Sequence, residues 1–133
     1  MAWELNSDRP IYAQILEKLQ VRIVCGVYPP GEWLPSVRDL AAEASVNPNT
    51  MQRAFSELER SGLVITQRNM GRVVTQDTQM IEAAKHKMAV TQTESFFTNM
   101  RQLGFSDSEI VSLVNSHTND TNNANHAVVS NER

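Results

Sequence analysis

With 133 residues, 41% of them hydrophobic, the chain has room for one compact domain plus something smaller, because single domains run to about 100–150 residues; this argues against a multi-domain enzyme. No run approaches the roughly 18 apolar residues of a membrane span, and Met1-Ala2-Trp3-Glu4 lacks the basic flank and apolar core of a signal peptide, so a cytoplasmic protein is expected. The net charge of -3 is unevenly spread: residues 1–76 hold eight Lys/Arg and eight Asp/Glu, while 77–133 hold four and seven, so any affinity for a polyanion has to come from local placement in the first part.

Asp8 reads as an N-cap ahead of Pro10, and Ile11, Ile15, Leu16, Leu19 and Ile23 recur at helical spacing until Gly26 offers a stop. Cys25, the only cysteine, falls at the end of this pattern and is read as packed; it excludes an intrachain disulfide and a cysteine-rich metal site. Tyr28-Pro29-Pro30-Gly31 predicts a loop, since proline lacks the amide proton and glycine favours turns. Ser36 to Asp39 has capping-box spacing and opens a second helix with Val37, Leu40 and Ala41 inside, ending near Ala44-Ser45. Asn47-Pro48 then supplies an N-cap and a first-turn proline, and Met51, Ala54, Phe55 and Leu58 form a helical stripe up to Ser61, with Gly62 as the stop. Leu63 to Thr66 and Arg72 to Thr75 are short β-branched segments separated by Arg68-Asn69-Met70-Gly71, the pattern of a hairpin.

From Asp77 a long helical pattern carries Ile81, Ala84, Met88, Phe96, Phe97, Met100 and Leu103 before Gly104. Ser106 to Glu109 repeats the capping-box spacing, and Ile110, Val111, Leu113 and Val114 predict a last short helix. Beyond His117 the Asn-rich chain has little to bury, and disorder is expected. The expected fold is mainly α with a small β-hairpin: a winged helix-turn-helix over 1–76, a two-helix C-terminal arm over 77–116, and a tail over 117–133.

Two short helices joined by a tight turn can place the second in a DNA major groove about 12 Å wide. Its first turns carry Asn47, Asn49, Thr50, Gln52 and Arg53: amides suited to adenine edges, a hydroxyl, and a guanidinium suited to guanine or phosphate. The alternative is that Asn47 only caps and the others are a solvated face. Ser36 caps the preceding helix, which aims Arg38 at a backbone phosphate beside the positive helix end; the alternative for Arg38 is a surface pairing with Asp39 or Glu43. Arg68 and Arg72 flank a hairpin tip that can lie against the minor groove or the backbone.

These residues carry a resemblance. Pro10-Ile11-Tyr12 with Gln14-Ile15, Gly26, Pro30-Gly31, Leu34-Pro35-Ser36 with Arg38, Leu40-Ala41, Val46-Asn47-Pro48-Asn49-Thr50, Arg53-Ala54, Leu58-Glu59, Gly62-Leu63-Val64 and Gly71 stand in the order found in GntR-type winged-helix repressors, which the chain resembles over roughly residues 9–75. The resemblance implies that Arg38 contacts DNA, that Asn49-Thr50 open the recognition helix onto the operator, and that Gly71 lets the wing approach the groove. The candidate DNA-binding set is therefore Ser36, Arg38, Asn47, Asn49, Thr50, Gln52, Arg53, Arg68, Asn69 and Gly71. The chain departs from many members at Pro48 and Gln52, where they carry arginine, and at Asn69, where they carry glycine; the operator sequence cannot be copied across. The Asn-Pro-Asn-Thr start and the brief C-terminal part look like the YtrA subfamily, whose effector region is reduced to two helices.

Two helices of this kind enclose no core alone, so their stripes need either the winged domain or a second chain, and a homodimer on a pseudo-palindromic operator is expected. A small-molecule pocket of about 300–1,000 Å³ exceeds what the arm offers in one subunit, so any effector is expected at the dimer interface. His86, His117 and His126 are too scattered for a metal site, and no cofactor is expected. No phosphate-binding glycine loop, nucleophile elbow or paired-carboxylate arrangement points to an enzyme. The remaining rival is a protein-interaction module that has kept the winged-helix fold while losing DNA.

Overall fold

The computed structural model describes residues 3–131, with side chains as far as 122. Five helices and one hairpin follow in chain order: α1 (Ile11–Val24), α2 (Val37–Ala44), α3 (Pro48–Ser61), β1 (Val64–Gln67), β2 (Gly71–Val74), α4 (Thr78–Gln102) and α5 (Asp107–Asn131). They form two compact units, the first running through Lys87 and the second from Met88.

In the first unit the predicted stripes become one core. Ile15, Leu19 and Ile23 of α1 meet Leu40 and Ala41 of α2, the Met51, Ala54, Phe55 and Leu58 stripe of α3, and Val64 and Val74 of the hairpin. Phe55 is fully buried, and losing a ring of this kind costs about 3–5 kcal/mol. Ile81 joins the same cluster and Ala84 packs on it, so this unit extends past residue 76, where the sequence boundary was expected. The reason is that the start of α4 contributes its own apolar side chains to that cluster.

Local signals explain the boundaries. The Ser36 hydroxyl accepts the Asp39 N–H (3.0 Å), and α2 ends at Ser45 in a left-handed conformation (φ 57). The Asn47 side chain accepts the Asn49 N–H (2.7 Å) ahead of Pro48, and Gly62 (φ 87) stops α3. At α1 the expectation needs correction. Pro10, not Asp8, holds the N-cap position, without a side-chain cap, and the chain entering the helix is tied by Gln14 instead. Its buried carboxamide accepts the Asn6 N–H (2.9 Å) and donates to the Asn6 and Arg9 carbonyls (2.8 Å each). Cys25 is likewise exposed rather than packed, because it sits one residue past the helix.

The hairpin pairs Val64 with Val74 and Gln67 with Gly71, so both strands lie one residue nearer the turn than expected while the register is the same. The stretch expected as plain loop adds a third edge. Trp33 bridges Val73, Leu34 N–H donates to Arg72 O (2.8 Å), and Val74 N–H donates to Glu32 O (2.9 Å).

In the second unit α4 ends before Gly104 (φ 97), and a reciprocal capping box opens α5. Glu109 N–H donates to the Ser106 hydroxyl (3.2 Å), while Ser106 N–H donates to the Glu109 carboxylate (2.9 Å). Arg101 clips the turn by pairing with Asp107 (2.7 Å). Ile110 is fully buried. Helix α5 continues to Asn131, past residue 117 where a disordered tail was expected, because no proline or glycine interrupts 107–131; positions 111–122 are all exposed. Residues 132 and 133 of that tail lie outside the described residues.

The Ser106 bonds, backbone first and hydroxyl second, hold the Glu109 carboxyl below its ordinary range. A carboxyl lowered in the folded chain stabilises it at neutral pH and loses that contribution as pH falls through its folded value. In an NMR titration Glu109 is expected to protonate below the usual value of about 4.3, and Ser106→Ala is expected to move it part of the way back. An ordinary Glu109 titration rules out the capping box.

Candidate nucleic-acid interface

The interface candidates occupy three places in the first unit: the start of α2, the start of α3 and the tip of the hairpin. Burial of the α3 stripe turns the opposite side of that helix to solvent, and Asn49, Gln52 and Arg53 are exposed there. Thr50 is half-buried and lines an open groove of about 540 Å³ together with Trp3, Leu5, Ile11, Val46 and Asn47. The Asn47 carbonyl oxygen is occupied as a cap, leaving its amide N–H groups available. The Gln52 amide donates to the Ser56 hydroxyl at a long 3.5 Å.

Arg38 is exposed in the first turn of α2, where the Ser36 cap fixes the helix start. At the wing tip Met70 N–H donates to Gln67 O (2.9 Å), closing a tight turn over Arg68 and Asn69. Asn69 takes the left-handed conformation (φ 63), and Gly71 has φ 114. Asparagine tolerates this region better than most side chains, so the turn forms without glycine at that position.

Ion pairing sorts the arginines. Arg9 pairs with Glu17 (2.6 Å), Arg22 with Glu43 (3.3 Å), Arg60 with Glu57 (3.3 Å), Arg72 with Glu59, and Arg101 with Asp107 (2.7 Å). Among the described residues Arg38, Arg53 and Arg68 have no carboxylate partner, and each belongs to the candidate set. Arg72, the other arginine that flanks the wing tip, is instead turned to its own domain. Its guanidinium lies over the Phe55 ring (5.1 Å) and bonds Glu59 of α3, pinning β2 to the recognition helix. Burial works against the Glu59 charge, but its bonds to Arg72 and Thr66 prevail and lower its pKa.

Two residues with roles in this region carried no periodic signal. Arg22 is buried between Trp3 (4.3 Å to the ring) and Tyr28 (hydroxyl at 2.8 Å), and the Trp3 indole donates to Glu43 (2.6 Å) near the end of α2. The Trp3 bond, then Arg22, hold the Glu43 carboxyl below its usual range. Tyr12, on α1, places its ring beneath the Arg53 guanidinium at 3.6 Å. Both arrangements join segments far apart in sequence; the density of matched positions around Tyr12 was the available hint. Among the described residues no group of His, Cys, Asp and Glu could hold a metal ion, and no helix is long and apolar enough to cross a membrane.

A capped helix pair, an exposed polar recognition face and a pinned hairpin define a winged helix-turn-helix of the DNA-binding class. Residues 11–74 match the family model described as bacterial regulatory proteins, gntR family. The HTH-type transcriptional regulator YhcF of Bacillus subtilis is 36% identical over 115 residues, covering 86% of this chain and 95% of its own. The HTH-type transcriptional repressor YtrA of the same organism is 40% identical over 72 residues, covering 54% and 55%. A solved GntR family transcriptional regulator from Listeria monocytogenes superposes with a TM-score of 0.78 at 38% identity, covering 84% of this chain and 98% of that one. The chain belongs to the GntR family and is YtrA-like: a DNA-binding transcription regulator, not an enzyme.

Proposed function

We propose that the chain represses transcription in the cytoplasm by binding a pseudo-palindromic operator as a homodimer. The observation that carries the DNA contact is the placement of the acid-free arginines Arg38, Arg53 and Arg68 on the two helix starts and the wing tip, while the other described arginines are neutralised by carboxylates. Net charge of -3 is then no obstacle, because phosphate attraction acts over about a Debye length of 8–10 Å and responds to local charge. Ser36 and Asn47 fix the helix starts; Asn49, Thr50, Gln52 and Arg53 read base edges; Arg38 grips phosphate; Arg68, Asn69 and Gly71 bring the wing to the duplex.

The second unit supports the dimer. Phe96, Leu103, Phe105, Val111, Leu113 and Val114 are exposed, more apolar surface than two helices ordinarily leave to water. A second copy covering it sets two recognition helices about one DNA turn, roughly 34 Å, apart or a multiple of that. A small-molecule effector, where one acts, binds at that interface. Repression is the reading favoured by similarity to YtrA, whose name records it as a repressor.

Arg38→Ala is expected to weaken binding to promoter DNA by about 1–3 kcal/mol with an unchanged melting temperature, measured by fluorescence anisotropy and thermal unfolding. Unchanged affinity removes Arg38 from the interface. Leu113→Asp is expected to shift the protein to monomer in sedimentation analysis and to lower operator affinity with it; a variant that remains dimeric refutes the assignment of this face.

A further inference from the structure

We propose that Tyr12, on the first turn of α1, is a positioning residue of the DNA interface: its ring holds the Arg53 guanidinium in place for the duplex. This rests on the reading of Arg53 as a DNA contact. The guanidinium carbon lies 3.6 Å from the ring centroid, close enough for the planar group to rest on the aromatic face. Stacking uses the face of the guanidinium and leaves its N–H edge free, and among the described residues no carboxylate takes that edge. An unrestrained arginine has many rotamers to lose on binding; one already seated on a ring has fewer. Glu57, the i+4 neighbour of Arg53 on α3 and a natural partner for it, pairs instead with Arg60 at 3.3 Å.

The ring is itself held. Tyr12 is half-buried, and two residues further along α1 the Gln14 carboxamide binds the backbone of Asn6 and Arg9, fixing the chain that leads into the helix. The α1 helix therefore serves the interface without supplying a base contact.

The experiment is a set of anisotropy titrations of the full chain with its own promoter duplex and a scrambled duplex. Tyr12→Phe, which keeps the ring, is expected to bind within about twofold of the unaltered chain, and Tyr12→Leu about two- to fivefold more weakly. In an Arg53→Ala background Tyr12→Leu is expected to cost nothing further. A loss in Tyr12→Phe equal to that in Tyr12→Leu, or one that persists undiminished without Arg53, overturns the proposal, because the side chain then acts by itself. Should Tyr12→Leu fail to fold by thermal melting, Arg53→Lys decides: it keeps the charge without the flat stacking group and is expected to lose a comparable factor, whereas full affinity overturns the proposal. An unaltered chain with no preference for the promoter duplex overturns the DNA reading itself, and the Tyr12 role with it.

Discussion

Burial of one face of α3 is the constraint on which the first unit depends. Met51, Ala54, Phe55 and Leu58 have no measurable exposure, and they meet α1, α2 and the hairpin together. A helix nailed down along one stripe has no rotational freedom, so the direction of its polar side follows from the core. Gln52, Arg53 and Ser56 face water because Met51, Ala54 and Phe55 do not. The wing is placed by the same helix, through Val64 and Val74 in the core and through the Arg72–Glu59 pair at its flank. Recognition helix and wing therefore share one rigid reference.

Features set by near neighbours in sequence were legible in advance. Ser36, Asn47-Pro48, Gly62 and the Ser106–Glu109 box all act within one helical turn, and each performs the expected capping. The apolar stripes were equally plain, since a repeat of 3.6 residues shows in the chain itself. Features that join distant segments were not. Asp8 resembles a cap, but the actual tether is Gln14, whose amide reaches back to Asn6 and Arg9. Nothing at Arg72 distinguishes it from Arg68 until Glu59 and Phe55 are seen beside it. The Trp3, Arg22, Tyr28 and Glu43 set joins the N-terminal segment, α1, the loop after it and α2, and leaves the Arg22 Nε without a partner among the described residues. The length of α5 is hidden for a different reason: a low hydrophobic content suggests absence of structure, whereas the chain over 107–131 holds no proline or glycine to break the helix.

Charge pairing turns this architecture into a binding surface. An acidic protein can attract DNA if its carboxylates are spent elsewhere, and here Glu17, Glu43, Glu57, Glu59 and Asp107 each pair with an arginine outside the candidate set. Among the described residues the arginines left over are Arg38, Arg53 and Arg68. Under the proposed reading, discrimination falls on the exposed amides of Asn49 and Gln52 and on the half-buried Thr50 hydroxyl of α3. The second unit contributes through its uncovered apolar residues, which a second copy would satisfy.

The central claim, that local cationic placement on an acidic chain produces sequence-specific DNA binding, is tested most directly by the salt dependence of affinity for the promoter DNA upstream of its own gene, with a scrambled duplex alongside. Tight binding to the promoter that falls steeply as salt rises from about 50 to 200 mM, as phosphate neutralisation by several arginines requires, with much weaker binding to the scrambled duplex, is the expected result. Affinity that is indifferent to salt, or equal for the two duplexes, contradicts it.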